Sequence, residues 1–255
     1  MEQSNKQTEL TEIRINKYLS EAGVCSRRKA DEYIEQGRVT IHGIPVEKGA
    51  CVSVDASVEV DGVTVCLKRQ RVTLAFYKPR GLVCSRNGQG SKTVADYLQY
   101  PVPLYYVGRL DKESEGLLLM TNDGDLANAI SKARNGHEKE YEVTVNRPVT
   151  KTFIRRMAQG VPILDTVTRP CTLRRIDDYT FSIILTQGLN RQIRYMCRYF
   201  DYHVTKLKRV RIMNIRLGNL PVGKWRDVTA EELEALKKQF IENDRRDQRK
   251  RRKNR

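Results

Sequence analysis

Asp111 is the carboxylate in this 255-residue chain whose surroundings best suit chemistry. It lies in Val107-Gly108-Arg109-Leu110-Asp111-Lys112-Glu113-Ser114-Glu115-Gly116, a polar, glycine-bounded stretch followed at once by Leu117-Leu118-Leu119-Met120-Thr121 and the turn-like Asn122-Asp123-Gly124-Asp125. The flanking apolar runs predict a strand ending over Tyr105–Val107 and a short buried strand over Leu117–Thr121, so that core anchors the loop at both ends. Rigid scaffolds display reactive groups on such loops. On spacing alone the pattern also fits a solvated turn carboxylate. Glycoside hydrolysis normally takes a second carboxylate about 5–9.5 Å from the first; Glu113, Glu115, Asp123 and Asp125 are available, and the spacing selects none of them. Cys25, Cys51, Cys66, Cys84, Cys171, Cys197, His42, His137 and His203 are scattered without a CxxC pair or a metal-ligand spacing. That pattern argues against a metal and for reduced thiols in the cytosol.

Two further stretches could complete a site. In Leu189-Asn190-Arg191-Gln192-Ile193-Arg194-Tyr195-Met196-Cys197, Asn190 is placed to cap a helix. Ile193, Met196, Cys197 and Phe200 give that helix one apolar face, and Arg191, Arg194, Tyr195 and Arg198 project from the other. One face packs and the other can meet an anion. In Lys139-Glu140-Tyr141-Glu142-Val143, strand alternation puts Tyr141 and Val143 on one side, which on spacing alone reads as packing.

The elements that must position these groups follow from pattern. Residues 1–12 carry little apolar content and are expected to be disordered. Ile15, Leu19 and Ala22 share one face of a first helix; Ser26 can cap a second, whose stripe is Ala30, Tyr33 and Ile34; Val39–Ile41 then alternates as a strand. Val58–Val65 alternates around Asp61-Gly62, a hairpin signal. Lys68–Arg71 reads as a charged linker. Beyond it, strands over Val72–Tyr77, Lys139–Val145, Leu173–Ile176 and Phe181–Thr186 mix with helices over Thr93–Leu98, Thr150–Gln159 and from Thr229, without βαβ alternation. The expectation is an α+β fold with a largely antiparallel sheet flanked by helices. The domains are expected at 13–70 and 71–242, with a basic disordered tail over 243–255.

Lys plus Arg is 47 against 31 for Asp plus Glu, a net charge of +16, so a polyanion is the expected partner. No apolar run approaches membrane-spanning length. Arg27, Arg28 and Lys29 crowd the first turn of the second helix, where the dipole disfavours each cation by roughly 0.3–1 kcal/mol. Contact with phosphate, with Arg14, Lys17 and Arg38 nearby, or a solvated basic face would both explain them.

Gly108-Arg109-Leu110-Asp111 followed by Ser114-Glu115-Gly116-Leu117-Leu118-Leu119-Met120-Thr121-Asn122-Asp123-Gly124 resembles the catalytic motif of the RNA pseudouridine synthases. The N-terminal order, with Gly23-Val24-Cys25-Ser26-Arg27-Arg28 at its helix junction, resembles the S4 RNA-binding domain. Together they resemble the subfamily that sets an S4-type domain before the catalytic domain and modifies ribosomal RNA, closest to its large-subunit branch. The resemblance implies Asp111 as the catalytic carboxylate, Arg194 as its partner, Tyr141 as the aromatic stacked on the target uracil, and Arg109 as the filler of the gap the extruded base leaves. Tyr77-Lys78-Pro79-Arg80-Gly81 resembles the family's first conserved segment, which makes Lys78 an RNA-contact candidate beside Arg191 and Arg198; an ordinary basic turn would explain it too. Tyr195 stands where many relatives carry a second arginine. The implied activity isomerises uridine to pseudouridine in structured RNA, large-subunit ribosomal RNA or possibly transfer RNA, without metal or cofactor. It implies a cytoplasmic monomer with no obligate protein partner and no membrane role. A non-enzymatic RNA-binding or ribosome-assembly protein on the same fold is the alternative; such a protein has no use for a carboxylate facing RNA.

Overall fold

A computed structural model describes residues 12–53, 55–67, 71–85, 88–131 and 136–240. The chain divides into two compact units, Met1–Arg71 and Val72–Arg255. The segment 1–11, the linker residues 68–70 and the basic tail expected over 243–255 lie outside the described residues.

The first unit runs β1 (Glu12–Arg14), α1 (Ile15–Glu21), α2 (Arg27–Glu35), β2 (Val39–Ile41), β3 (Ile44–Pro45), β4 (Cys51–Ser53), β5 (Val58–Val60) and β6 (Val63–Val65). Glu12, expected in a disordered terminus, instead pairs with Ser53 in a short β1–β4 ribbon. Ser26 caps α2 by accepting the Lys29 N–H. Asp61 and Gly62 take φ of 53° and 76°, the left-handed pair that a two-residue hairpin needs to match strand twist. Ile15, Tyr18, Leu19, Ala30, Ile34, Val39 and Val58 form the core. Arg27, Arg28 and Lys29 remain on the surface, although Lys29 reaches Glu32 at 2.6 Å. Arg14 is exposed and Lys17 pairs with Glu21 at 3.7 Å. Arg38 is committed elsewhere: its fork donates to both Asp61 oxygens at 2.8 and 2.5 Å, and its guanidinium lies 3.9 Å from the Tyr33 ring centre.

The second unit runs β7 (Thr73–Lys78), α3 (Val94–Leu98), β8 (Tyr105–Val107), β9 (Glu115–Thr121), α4 (Gly124–Ser131), β10 (Lys139–Val145), α5 (Lys151–Ala158), β11 (Pro162–Ile163), β12 (Thr166–Val167), β13 (Thr172–Arg175), β14 (Thr180–Leu185), α6 (Gln192–Tyr199), β15 (Val204–Ile212), β16 (Ile215–Arg216), β17 (Trp225–Asp227) and α7 (residues 230–240). Its main sheet has the order β13-β14-β10-β15-β9-β7-β17, with β16 on β15 and β8 on β9. Every pairing in that sheet is antiparallel except β9 with β15.

β9 is buried along its whole length because both faces are covered. Leu117 and Leu119 pack with Ile130, Ile212 and Leu236, whereas Leu118 and Met120 pack with Phe76 and Val94. The turn expected over Asn122–Asp125 starts a helix instead. Asp123 Oδ1 accepts the N–H groups of Asp125 and Leu126, which is N-cap chemistry and opens α4. A separate cluster of Val143, Phe153, Phe181, Ile183, Met196 and Leu207 packs α5 and α6 against β10 and β14.

Candidate active site

The loop bearing Asp111 joins β8 to β9, which pair antiparallel with Val107 opposite Leu119. Within it the Ser114 N–H donates to the Asp111 carbonyl at 3.0 Å, closing a turn, and Leu110 is buried beneath. The outer ends are tied as well: the Gly108 N–H donates to Ser131 Oγ at 3.0 Å and the Gly81 N–H to the Lys112 carbonyl at 2.8 Å.

Three cations from three elements hold the loop from within. Lys78 on β7 is fully buried and donates from Nζ to the Pro79 and Ser114 carbonyls at 2.9 and 2.8 Å. Arg209 on β15, 1 % exposed, donates from Nε to the Leu117 carbonyl at 2.7 Å and from Nη1 to the Arg109 carbonyl at 3.4 Å. Arg194 on α6 donates from Nη2 to the Glu113 carbonyl at 3.4 Å and from Nη1 to the Val204 carbonyl at 3.3 Å. Buried cations need acceptors, and here backbone carbonyls supply them, so the loop is fixed and positive charge gathers around Asp111. Burial pushes the Lys78 pKa below its ordinary value, with Asp111 and Glu113 among the groups pulling it back. Arg194 is depressed by burial and then by Arg191, while Asp111 opposes both.

Asp111, Arg109 and Tyr141 line one pocket of about 190 Å³, together with Lys139, Leu185, Arg191, Leu207 and Arg209. Tyr141 is half-buried, with part of its ring on the Val143–Phe181 cluster. The reacting carboxylate and the stacking aromatic implied by the sequence therefore share one cavity.

Three expectations need correction. Lys78 is not a surface group for RNA; it supports the loop, because the strand that carries it is sealed on both faces. Asn190 does not cap α6: the capping position is Arg191, at φ 48° with no side-chain cap, and the buried Gln192 accepts the Leu189 N–H instead. Arg194 makes no fork on Asp111. The ion pair Asp111 makes is with Arg191, Nη1 to Oδ2 at 3.9 Å, between side chains 44 % and 36 % exposed. At that exposure solvent screens the pair, which contributes at most about 1 kcal/mol. Arg198 is exposed on the outer side of α6. The supporting roles of Arg209 and Gln192, and the place of Lys139 in the pocket wall, escaped sequence reasoning; a basic strand reading Lys206-Leu207-Lys208-Arg209-Val210-Arg211 does not show which cation turns inward.

Among the described residues there is no group of His, Cys, Asp and Glu that could hold a metal, and no helix long and apolar enough to cross a membrane. Residues 72–199 match the RNA pseudouridylate synthase family and residues 13–50 the S4 domain. The chain is 48 % identical over 225 residues to the dual-specificity RNA pseudouridine synthase RluF of Salmonella typhi, across 88 % of this chain and 78 % of that one. It is 34 % identical over 233 residues to ribosomal large subunit pseudouridine synthase B of Bacillus subtilis, across 88 % and 95 %. Among solved structures, the crystal structure of a pseudouridylate synthase superposes with a TM-score of 0.65 at 28 % identity, over 88 % of this chain and 99 % of that one.

Proposed function

The chain belongs to the RNA pseudouridylate synthase family, with an S4 domain ahead of its catalytic domain, and on that premise we propose that Asp111 is the carboxylate that isomerises uridine in large-subunit ribosomal RNA. The observation that carries this reading is the loop geometry: three cations hold its carbonyls, at Ser114, Glu113 and Arg109, while Asp111 and Tyr141 face one cavity.

The reaction breaks the bond from uracil N1 to ribose C1′, turns the base and rejoins it through C5. It consumes no water and changes no oxidation state. Asp111 serves either by adding to C1′ or by removing the 2′ proton; both routes need a fixed, ionised carboxylate. Tyr141 stacks on the extruded base, which returns roughly 1–3 kcal/mol against the few lost on unstacking. Arg109, at the pocket edge, fills the space left in the RNA. Arg191 screens Asp111 from the phosphates and takes the partner role first expected of Arg194, which acts one step back through the Glu113 carbonyl.

The relative named for the large ribosomal subunit supports ribosomal RNA as substrate, and the one named for dual specificity supports more than one RNA target; transfer RNA is the second class to test. We assign a cytoplasmic monomer that needs no protein partner. The test is to incubate the protein with ribosomal and transfer RNA transcripts and map pseudouridine by reverse-transcription stops after carbodiimide treatment. Stops at one or a few sites in ribosomal RNA are expected; stops in transfer RNA alone would overturn the substrate assignment. Light scattering of the free protein checks the monomer.

The exposed cations opening α2 give a second prediction. Replacing Arg27 and Arg28 by alanine removes two phosphate contacts, so the slope of log affinity against log salt should flatten by about 1.5. Turnover at saturating RNA should hold. An unchanged slope would make that face a merely solvated one.

A further inference from the structure

Lys139 is a cation that the established machinery leaves unexplained. It stands two residues before Tyr141 on β10, hence on the same side of the strand, and lines the same pocket as Asp111. The acids around it point the other way. Glu138 and Glu140 are held by Arg211 at 3.1 and 2.9 Å, and Glu142 by Lys208 at 3.4 Å. Among the described residues, the acceptor recorded for Lys139 Nζ is the His137 carbonyl, at 3.3 Å. An ammonium has three N–H donors, so most of its capacity is open to the cavity.

The charged group that acts on it makes this worse. Arg209, opposite Tyr141 across the β10–β15 pairing, lines the same cavity, and its Nη2 is buried without a hydrogen-bond partner. Burial first and Arg209 second bring the Lys139 pKa down to about 8. Desolvated cations without a bonded carboxylate cost stability, and a fold that keeps them at a pocket wall is keeping hydrogen-bond donors for something that enters it.

We propose that Lys139 binds a carbonyl oxygen of the extruded uracil and stabilises the negative charge that the base carries while detached. The inference rests on Asp111 as the reacting carboxylate. When N1–C1′ breaks, the bonding pair stays on the ring and spreads over N1 and the carbonyl oxygens. The Lys139 ammonium donates to one of those oxygens without giving up its proton. When C5 bonds to C1′ the pair enters the new bond and the charge disappears, with C1′ releasing Asp111 or C2′ regaining its proton according to the route; loss of the C5 proton and gain of one at N1 then complete pseudouridine with no net proton exchanged. The donor meets this charge whichever way Asp111 opens the reaction. A pyrimidine dione is thus the ligand class the lysine selects.

The groups around Lys139 bear on any pH test. Arg209 comes from β15, Tyr141 from its own strand, Arg109 and Asp111 from the loop and Arg191 from the start of α6; β14 offers the apolar Leu185. The experiment is single-turnover conversion of saturating RNA from about pH 6 to about pH 9.5, with RNA affinity and thermal melting measured in parallel. Lys139→Met should lose about 10²-fold in rate with its RNA affinity within about twofold of native. Lys139→Arg should recover most of that loss. The native rate should fall as pH climbs past about 8, and that fall should be absent in Lys139→Arg, whose cation does not titrate there. Overturning results are a native-like rate in Lys139→Met, an affinity loss that accounts for the rate loss, or a native rate that rises through the same pH range, which would make the lysine a proton acceptor. A melting point lowered in Lys139→Met with no recovery in Lys139→Arg would make it a packing residue. Failure of the Asp111 assignment appears separately, as turnover by Asp111→Asn.

Discussion

Asp111→Asn is expected to lose turnover by at least about 10³-fold, equivalent to about 4 kcal/mol of barrier, while folding and binding RNA normally. The reason for expecting a clean result is geometric. The loop is held through its carbonyls by Lys78, Arg194 and Arg209, and the Asp111 side chain takes no part in that support. Its ion-pair partner, Arg191, is exposed, so losing the carboxylate breaks no hydrogen bond to a buried cation and withdraws only the longer-range pull of Asp111 on Lys78 and Arg194. Had Arg194 been the fork on Asp111, the same substitution would have stripped a buried partner and destabilised the domain by about 3–5 kcal/mol. Melting within about 1 °C of native is therefore part of the expectation, as is RNA affinity equal to native or better, because a negative charge facing phosphate is removed. Single-turnover conversion of labelled RNA, with melting and filter binding alongside, checks all three. Native-like turnover in the variant would sink the assignment of Asp111.

The second large effect is structural. Gly116 stands where β9 meets β15, at φ 105°, opposite Arg209 in the parallel pairing. A Cβ there would lie 2.3 Å from the Arg209 carbonyl oxygen and 2.7 Å from its amide nitrogen. Both are backbone atoms in mid-sheet, so neither can swing aside. Gly116→Ala must part the two strands and adopt a conformation that costs a residue with a side chain about 1–3 kcal/mol by itself. The total loss should reach about 4 kcal/mol, which lowers the melting point by about 10 °C in a unit of this size. Gly218→Ala is the matched control. Its φ of 57° is also left-handed, but nothing lies within 4 Å of the added Cβ, so conformational strain acts there alone. Equal melting points for the two variants would show that the close approach of β9 and β15 is not what Gly116 serves.

Elements with strong local signals were legible from sequence. The Asp61-Gly62 hairpin, the Ser26 cap and the strand from Lys139 to Val145 each rest on chemistry within a few residues, and each appears at its expected place. The antiparallel character of the catalytic sheet followed from element order. The supports of the site were not legible, because they rest on contacts distant in sequence. Nothing near Lys78 shows that the Ser114 carbonyl will accept its hydrogen bond, and nothing in an alternating basic strand marks Arg209 as the cation that turns inward. The α6 start misled for a local reason: Asn190 is a good capping type, but the buried Gln192 side chain reaches back to the Leu189 amide and moves the helix start by one residue. Arg194 shows the limit of motif reading. A motif names a residue type at a position, and the atom its guanidinium finally meets depends on where Glu113 and Val204 lie.

The hydrogen bonds from Arg209 to Arg109 and Leu117 span 100 and 92 residues of chain. Contacts of such sequence separation are slow to form, and domains fold largely as they emerge during synthesis. The S4 unit closes its core by Leu67 and is complete early. Asp111 also leaves the ribosome early, yet its loop has no inner support from β15 until Arg209 follows about a hundred residues later. The S4 unit is thus folded on the nascent chain well before β15 arrives to complete the sheet that supports the Asp111 loop.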